Sequence, residues 1–350
     1  MAEDPQAPRV LGAPRPGLFW PVKSDPAGVV GPTPKVARGP RWRTSSRGRF
    51  VPASVARTTE QRIVEAAAVL PEHGGVTGWA ALHWQRARWF DGLGVQGSER
   101  PVWLVTAGDD IRAQQGIAIS AERLDPRDLI TIDGVRLTTA VRSTWFEMRY
   151  AETLRDAVRT LCMAAYDDLV SIKELDAYVY EHPGWTGTPQ ARAASSFADE
   201  SCWSPMEVDM LIVWVVDADL PRPLCNRPIF DRRGNFIATP DLLDVEAGVV
   251  GEYEGPLHLE RTQRSRDVRR EELYRRHGLE YFTMLNDDRR NPSSMAERMH
   301  STRARAAFTA ESTRSWTVEP PSWWIPTHTV ELRRALEPIH RERLLGYRAA

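Results

Sequence analysis

The apolar positions change their spacing several times along the chain, and each change predicts a different kind of element. Residues 1–40 are rich in Pro and Gly with no apolar period, which predicts an irregular arm. Arg41-Trp42-Arg43 and Arg49-Phe50-Val51-Pro52 flank a polar Arg47-Gly48 turn, the pattern of a short basic hairpin. Ile63, Ala66, Ala67 and Leu70 then fall at helical spacing, predicting a helix over 58–70 that Pro71 and Gly74-Gly75 end. A second short helix is expected over 77–84. Compact β-type runs follow at 102–106 and 116–120. Two more, at 129–132 and 135–138, are joined by Asp133-Gly134, a dipeptide suited to the tight turn that matches strand twist. From Ala140 to about Phe197 the period is helical, with helices expected at 141–150, 151–165 and 171–181.

The pattern changes again near Ser201, where the main domain boundary is placed. Ser204-Pro205-Met206-Glu207 opens an apolar helix running to about Val216. Strands are expected at 226–231, 235–241 and 248–253, then a charged helix from Arg266 to His277 closed by Gly278, and a last strand over 280–285. That order is αβββαβ. Residues 291–350 read as a helical extension carrying Trp316, Trp323 and Trp324 in a Pro-rich stretch.

Composition narrows the classes. Hydrophobic residues make up 42% and charged residues 27% of the 350, ordinary values for a globular chain. No run of eighteen apolar residues predicts a membrane span, and Met1 to Leu18 lacks the apolar core of a secretory signal. Cys162, Cys202 and Cys225 lie far apart with no metal-ligand spacing, so a reduced, cytoplasmic protein without structural zinc or a membrane partner is expected. The net charge of −1 leaves the partner open. All but three of the basic residues are arginine, which suits phosphate although codon usage alone produces the same bias.

The candidate chemistry lies in Pro240-Asp241 and, eleven residues on, Glu252-Tyr253-Glu254-Gly255 with His258 nearby. Alternate strand residues share a face, so Glu252 and Glu254 point the same way. If 235–241 and 248–253 form a hairpin, Asp241 reaches the same end of the sheet. Carboxylates converging there repel unless a hard cation lies between them, and few protein oxygens plus water suit Mg²⁺. A solvated acidic strand edge would show the same spacing. Glu207 likewise has two readings, as the return arm of a capping box on Ser204 or as a further acid aimed at the cation. Arg264, Arg266, Arg269, Arg270, Arg275 and Arg276 form either a phosphate-tracking helix face or a solvated one balanced by Asp267, Glu271 and Glu272. Arg41, Arg43, Arg47 and Arg49 have no acids beside them in sequence and are stronger candidates for contact with nucleic acid.

Ser204-Pro-Met-Glu207, Leu220-Pro221-Arg-Pro223, Asp241-Leu242, Glu252-Tyr-Glu254-Gly255, His258, Asp267, Arg270 and Gly278 resemble, in order and spacing, a bacterial domain family related to very-short-patch-repair (Vsr) endonucleases, a branch of the PD-(D/E)XK fold. The resemblance covers about 85 residues. It implies Asp241 and Glu252 as Mg²⁺ ligands and Glu207 as a helix-borne acidic partner, with Glu254 and His258 orienting or activating water. The fold's namesake lysine is replaced by Glu254, where the relatives usually carry Asp. Leu211 and Thr283 stand where arginines are frequent. An inactivated relative is thus as open as an active endonuclease.

Upstream, Gly75-Val-Thr77-Gly-Trp-Ala80-Ala81-Leu82, Gly134-Val135-Arg-Leu137-Thr138-Thr139 and Arg142-Ser-Thr144 are similar to the AbiEi-type antitoxin region, and the 41–52 hairpin resembles the wing ending its winged helix. Taken together, the expected class is α+β or α/β. Residues 1–55 form a basic arm with a winged-helix-remnant hairpin, 56–200 an AbiEi-like α/β region, 201–290 a restriction-endonuclease-like domain and 291–350 a helical tail. The resemblances imply a nucleic-acid partner, DNA foremost, and either a Mg²⁺-dependent endonuclease or a non-enzymatic type IV antitoxin or DNA-binding regulator with a cognate toxin. Trp79, Trp84, Trp89 and Trp145 are expected to pack rather than stack on bases.

Overall fold

A computed structural model describes residues 14–94, 97–108, 111–255 and 270–349. The chain divides into two compact units, Met1–Glu147 and Met148–Ala350. His258, Arg264, Arg266, Asp267 and Arg269 lie outside the described residues.

In the first unit the described part of the arm holds one four-residue helix, α1 (Pro34–Ala37). The basic hairpin forms as β1 (Trp42–Ser46) and β2 (Arg49–Pro52), antiparallel. Thr58 caps α2 (Thr59–Ala67) through the Gln61 amide. Next come β3 (Gly75–Thr77), α3 (Trp79–Trp84), β4 (Val102–Val105), β5 (Ile117–Ser120), β6 (Leu129–Ile132) and β7 (Val135–Thr138). The sheet order is β5-β4-β3-β7-β6, with parallel pairs β4/β5 and β3/β7. Asp133 and Gly134 both take positive φ, 49° and 75°, the backbone their tight turn requires. The central strand β3 escapes a sequence reading because Gly75-Val76-Thr77 is too short to show alternation. Trp79, Trp84 and Trp145 are fully buried, and the Trp79 and Trp84 indoles donate to Pro101 O (2.8 Å) and Ile132 O (3.0 Å). The unit ends within α4 (Ala140–Arg149).

The second unit gathers α5 (Leu154–Tyr166), α6 (Ile172–Glu181) and α7 (Thr188–Phe197) with everything that follows. The division thus lies before these helices rather than near Ser201. Their apolar faces are the reason, since α5 packs on both α7 and α8 (Pro205–Ile212). The change of period at Ser201 marks a change of element type within one core. After α8 the helix widens into a π-turn over Val213–Asp217, and the Trp214 indole donates to Pro221 O at 2.7 Å.

The main sheet contains β8 (Leu224–Cys225), β11 (Leu242–Asp244), β12 (Val249–Glu254) and β13 (Glu280–Leu285), in the order β13-β12-β11-β8, with only the β12/β13 pair parallel. The strands expected at 226–231 and 235–241 do not belong to it. They shorten to β9 (Ile229–Asp231) and β10 (Phe236–Ala238), a hairpin that joins β14 (Trp316–Thr317) in a separate sheet. Pro240 has no amide proton to extend the ladder, so the chain leaves one sheet and enters another there. With helical residues 270–276 between β12 and β13, the main sheet and its helices follow an α-β-β-β-α-β order. One face carries Leu242, Val249 and Phe282 against Met210, Trp214 and the helix α9 (Pro292–Arg305). The other carries Leu243 and Val250 against Tyr274 and Trp316. No helix among the described residues is long and apolar enough to cross a membrane.

The C-terminal stretch is built into this unit. Arg333, on α10 (Val330–Arg334), has no exposed surface; it donates to Asp168 Oδ1 (2.5 Å), Ala165 O (2.6 Å) and Thr327 O (2.9 Å). Arg341 and Arg348 converge on the same carboxylate. Asp168→Ala leaves Arg333 buried and uncompensated, so a loss of about 3–5 kcal/mol is expected. For a unit this size that lowers Tm by roughly 6–20 °C. An unchanged melting curve would mean that the tail merely rests on the surface.

Candidate functional site

The acid pair sits where β11 and β12 meet. Leu242 faces Gly251 in the ladder, so Asp241, one residue earlier, stands opposite Glu252, one residue later. The expected convergence therefore arises from the 242–244 strand and not from a strand ending at Asp241. Glu254 is two residues further along β12, partly exposed at the strand end. Glu207 approaches from the first turn of α8.

Each carboxylate is held by protein donors. Ser204 caps α8 through the Glu207 amide. Glu207 folds back as in a capping box but reaches the Trp203 amide, which donates to Oε2 at 2.7 Å, while Ser204 Oγ donates to Oε1 at 2.9 Å. Asn226 Nδ2 donates to the same Oε2 (2.6 Å) and to Ser201 O (2.8 Å). The Tyr253 amide donates to Asp241 Oδ2 at 2.7 Å. Glu252, buried, accepts from the Tyr274 hydroxyl (2.6 Å) and from Arg270 Nη1 (2.9 Å). Glu207 thus folds back toward the start of its helix as a capping arm does, and its charge adds to the crowding around Asp241.

Their electrostatics follow from this crowding. Burial, then the charge of Glu207, pushes the Asp241 carboxyl up to about 8. Burial, then the charge of Asp241, pushes Glu252 up to about 8 against the pull of Arg270. Burial also raises Glu207, with Glu252 adding to it, although the Trp203, Asn226 and Ser204 donors oppose the shift. Like charges gathered in a poorly hydrated place favour protonation or a cation. In chemistry the donor set fits Mg²⁺: it is all oxygen, and the Asn226 side-chain oxygen is buried with no hydrogen-bond partner. Among the described residues, no group of three or more His, Cys, Asp or Glu side chains is drawn together tightly enough to hold a metal ion, and a cation would compete with Arg270 for Glu252.

Arg270, expected on nucleic acid, spends part of its charge on Glu252 while its side chain stays 51% exposed. Arg43, expected to be unpaired, forms a fork with Glu65 at 2.5 and 2.9 Å. Glu65 lies two elements later in sequence, on α2, which packs on β1. Arg41 and Arg47 are exposed and Arg49 is half-buried on the same hairpin. Trp42 makes an edge contact with Phe19.

Sequence spacing misses Asn226 and Tyr274. Tyr274 stands one helical turn beyond Arg270, and that i, i+4 relation is the available signal. Asn226 lies in a stretch that reads as strand, whereas its φ of 45° marks a turn. Spacing also misses that the three cysteines meet: Cys162, Cys202 and Cys225 are all buried. Hydrogen bonds to the Cys162 and Cys225 thiols, and burial, raise the Cys202 thiol far above its ordinary range.

Comparison of the chain with protein-family models, curated proteins and solved structures finds no match.

A carboxyl whose folded pKa is raised contributes stability fully present below its unfolded pKa near 3.8 and lost as pH rises through about 8. With chelator present, the wild-type Tm should therefore fall more steeply between these limits than that of Asp241→Asn. Parallel Tm–pH curves would show that Asp241 carries no such strain.

Proposed function

We propose that the second unit is a Mg²⁺-dependent hydrolase of nucleic-acid phosphodiesters, with a Vsr-like variant of the restriction-endonuclease core. The observation that carries this reading is the meeting of Asp241, Glu252 and Glu207 at one end of a mixed sheet, with raised pKa values for all three. Asp241 and Glu252 would hold the cation and Glu207 would support it from α8. Bound there, Mg²⁺ supplies a hydroxide at neutral pH and offsets charge on the scissile phosphate. Tyr253 fixes Asp241 through its amide, and Tyr274 and Asn226 hold Glu252 and Glu207 in place. Arg270, freed from Glu252, supplies positive charge in a site that lacks the usual lysine. Glu254 and His258 remain the candidates for handling water.

A second reading has its own support. The Arg270–Glu252 pair already supplies a cation from within the protein, as a scaffold without metal needs. On this reading the chain is a type IV antitoxin-like or DNA-binding regulator, and exposed Arg41 and Arg47, with Arg49, contact the DNA backbone.

Calorimetric titration of the full chain with Mg²⁺ and Mn²⁺ separates the two. The hydrolase reading expects binding that Asp241→Ala and Glu252→Ala weaken by roughly 10²-fold or more, together with metal-dependent cleavage of DNA. A wild-type chain that binds neither metal, with or without DNA, would leave the regulator reading standing.

A further inference from the structure

Beside the acids' sheet lies a cavity of about 370 Å³ whose lining includes Arg155, Arg159, Arg289, Arg290, Asp209 and Asn286. We propose that it binds a backbone phosphate of a nucleic-acid strand whose neighbouring phosphodiester lies at the acid cluster. The proposal rests on the hydrolase reading for the identity of the strand.

The cavity is built around one buried carboxylate. Asp209, 4% exposed, accepts from Arg159 through Nε (2.6 Å) and Nη2 (2.5 Å) at Oδ1, and meets Arg289 Nε at Oδ2 (2.6 Å). Asp209 thus hydrogen-bonds Arg159 and stands within ion-pair distance of Arg289, and it neutralises one charge of the two. Arg289 approaches Asp209 through Nε. Arg155 meets Asp217 through Nη2 alone, at 2.6 and 2.5 Å, and Arg290, 84% exposed, stands 3.6 Å from an equally open Asp287. Arg159 also pairs with Asp156. With Asp209 these outer acids match the formal charge of the four arginines, so what the cavity offers is hydrogen-bond donors and not net charge: guanidinium nitrogens that the acids do not occupy can only donate. Several guanidinium groups turned to one hollow are a donor set that suits phosphate oxygens.

Its position supplies the second argument. β12 and β13 run parallel with Glu254 beside Leu285, so Asn286, Arg289 and Arg290 follow the strand end nearest Glu252. Tyr253 joins the two places directly. Its amide holds Asp241 Oδ2, and its hydroxyl donates to Asn286 Oδ1 at 3.4 Å. Tyr253 thus touches both an acid and the cavity lining, as a strand running from one to the other requires.

The test is fluorescence anisotropy of a labelled single-stranded DNA on the full chain with chelator, then with inorganic phosphate as competitor. Arg155→Gln/Arg290→Gln removes two guanidiniums without exposing Asp209, and melting curves check folding; Arg290→Gln alone, at an open position, serves if the pair misfolds. Expected are a roughly tenfold or greater loss of affinity and a salt dependence flatter by about 0.7 for each phosphate left unpaired. Inorganic phosphate should compete in the wild type and lose that effect in the variant. Unchanged affinity in a folded variant overturns the proposal. Phosphate binding that depends on these arginines while DNA binding does not would also overturn it, assigning the cavity to free phosphate. DNA binding that needs the arginines without any metal-dependent cleavage leaves this site standing and removes the hydrolase reading. Cleavage with an unchanged KM in the variant does the reverse.

Discussion

Three carboxylates that repel one another, held at the end of one sheet, set the terms for the rest of the second unit. Taking an ionised carboxylate out of water costs several kcal/mol unless donors replace its hydration. The donors come from separate places along the chain: the Trp203 amide and Ser204 before α8, Asn226 in the turn after β8, the Tyr253 amide on β12, and Arg270 and Tyr274 on the following helix. Each is positioned by an element that also contributes to a core. Trp214, Met210 and Phe282 pack beneath one face of the sheet, while Tyr274 belongs to the core on the other and holds Glu252 with its hydroxyl. The fold therefore holds the carboxyls close, and their crowding and burial are what raise their pKa values.

Legibility in the sequence follows the range of the interaction. Local signals carry well: the Asp133-Gly134 turn, the Ser204 cap and the alternation along 249–254 depend on neighbours a few residues away. Asp241 and Glu252 are legible by spacing, although by way of the wrong strand. Pro240 is the sign that the 236–238 segment has to end before Asp241. Long-range closure is not legible. Arg333 reaches Asp168 across 165 residues, and nothing in the period of either segment announces the pair. The three cysteines show no motif because they are brought together by α5, the approach to α8 and β8, and not by a local loop.

Arginine content is the weakest guide to function, and the structure explains why. Arg43 with Glu65, Arg142 with Glu122 and Arg333 with Asp168 are ion pairs with at least one nearly buried partner. Such pairs use the planar fork to satisfy carboxylates and backbone carbonyls within the protein. A count of arginines cannot separate these from the ones that face a ligand. The distinction lies in what each guanidinium still has to give: Arg333 spends Nε and both terminal nitrogens on the chain itself, whereas Arg289 meets Asp209 through Nε.

The thiol cluster and the acid cluster share their framework. Cys202 immediately precedes Trp203, whose amide anchors Glu207, and Cys225 immediately precedes Asn226, whose side chain anchors the same carboxylate. All three thiols are buried, and those of Cys202 and Cys225 are shifted toward the neutral form, so the cluster acts here as small apolar packing groups and not as nucleophiles. Cys202 and Cys225 thus pack beside the two residues that hold Glu207. A volume change at Cys202 or Cys225 would bear on the adjoining residue that holds Glu207. This is how close packing in a core becomes a constraint on a polar site.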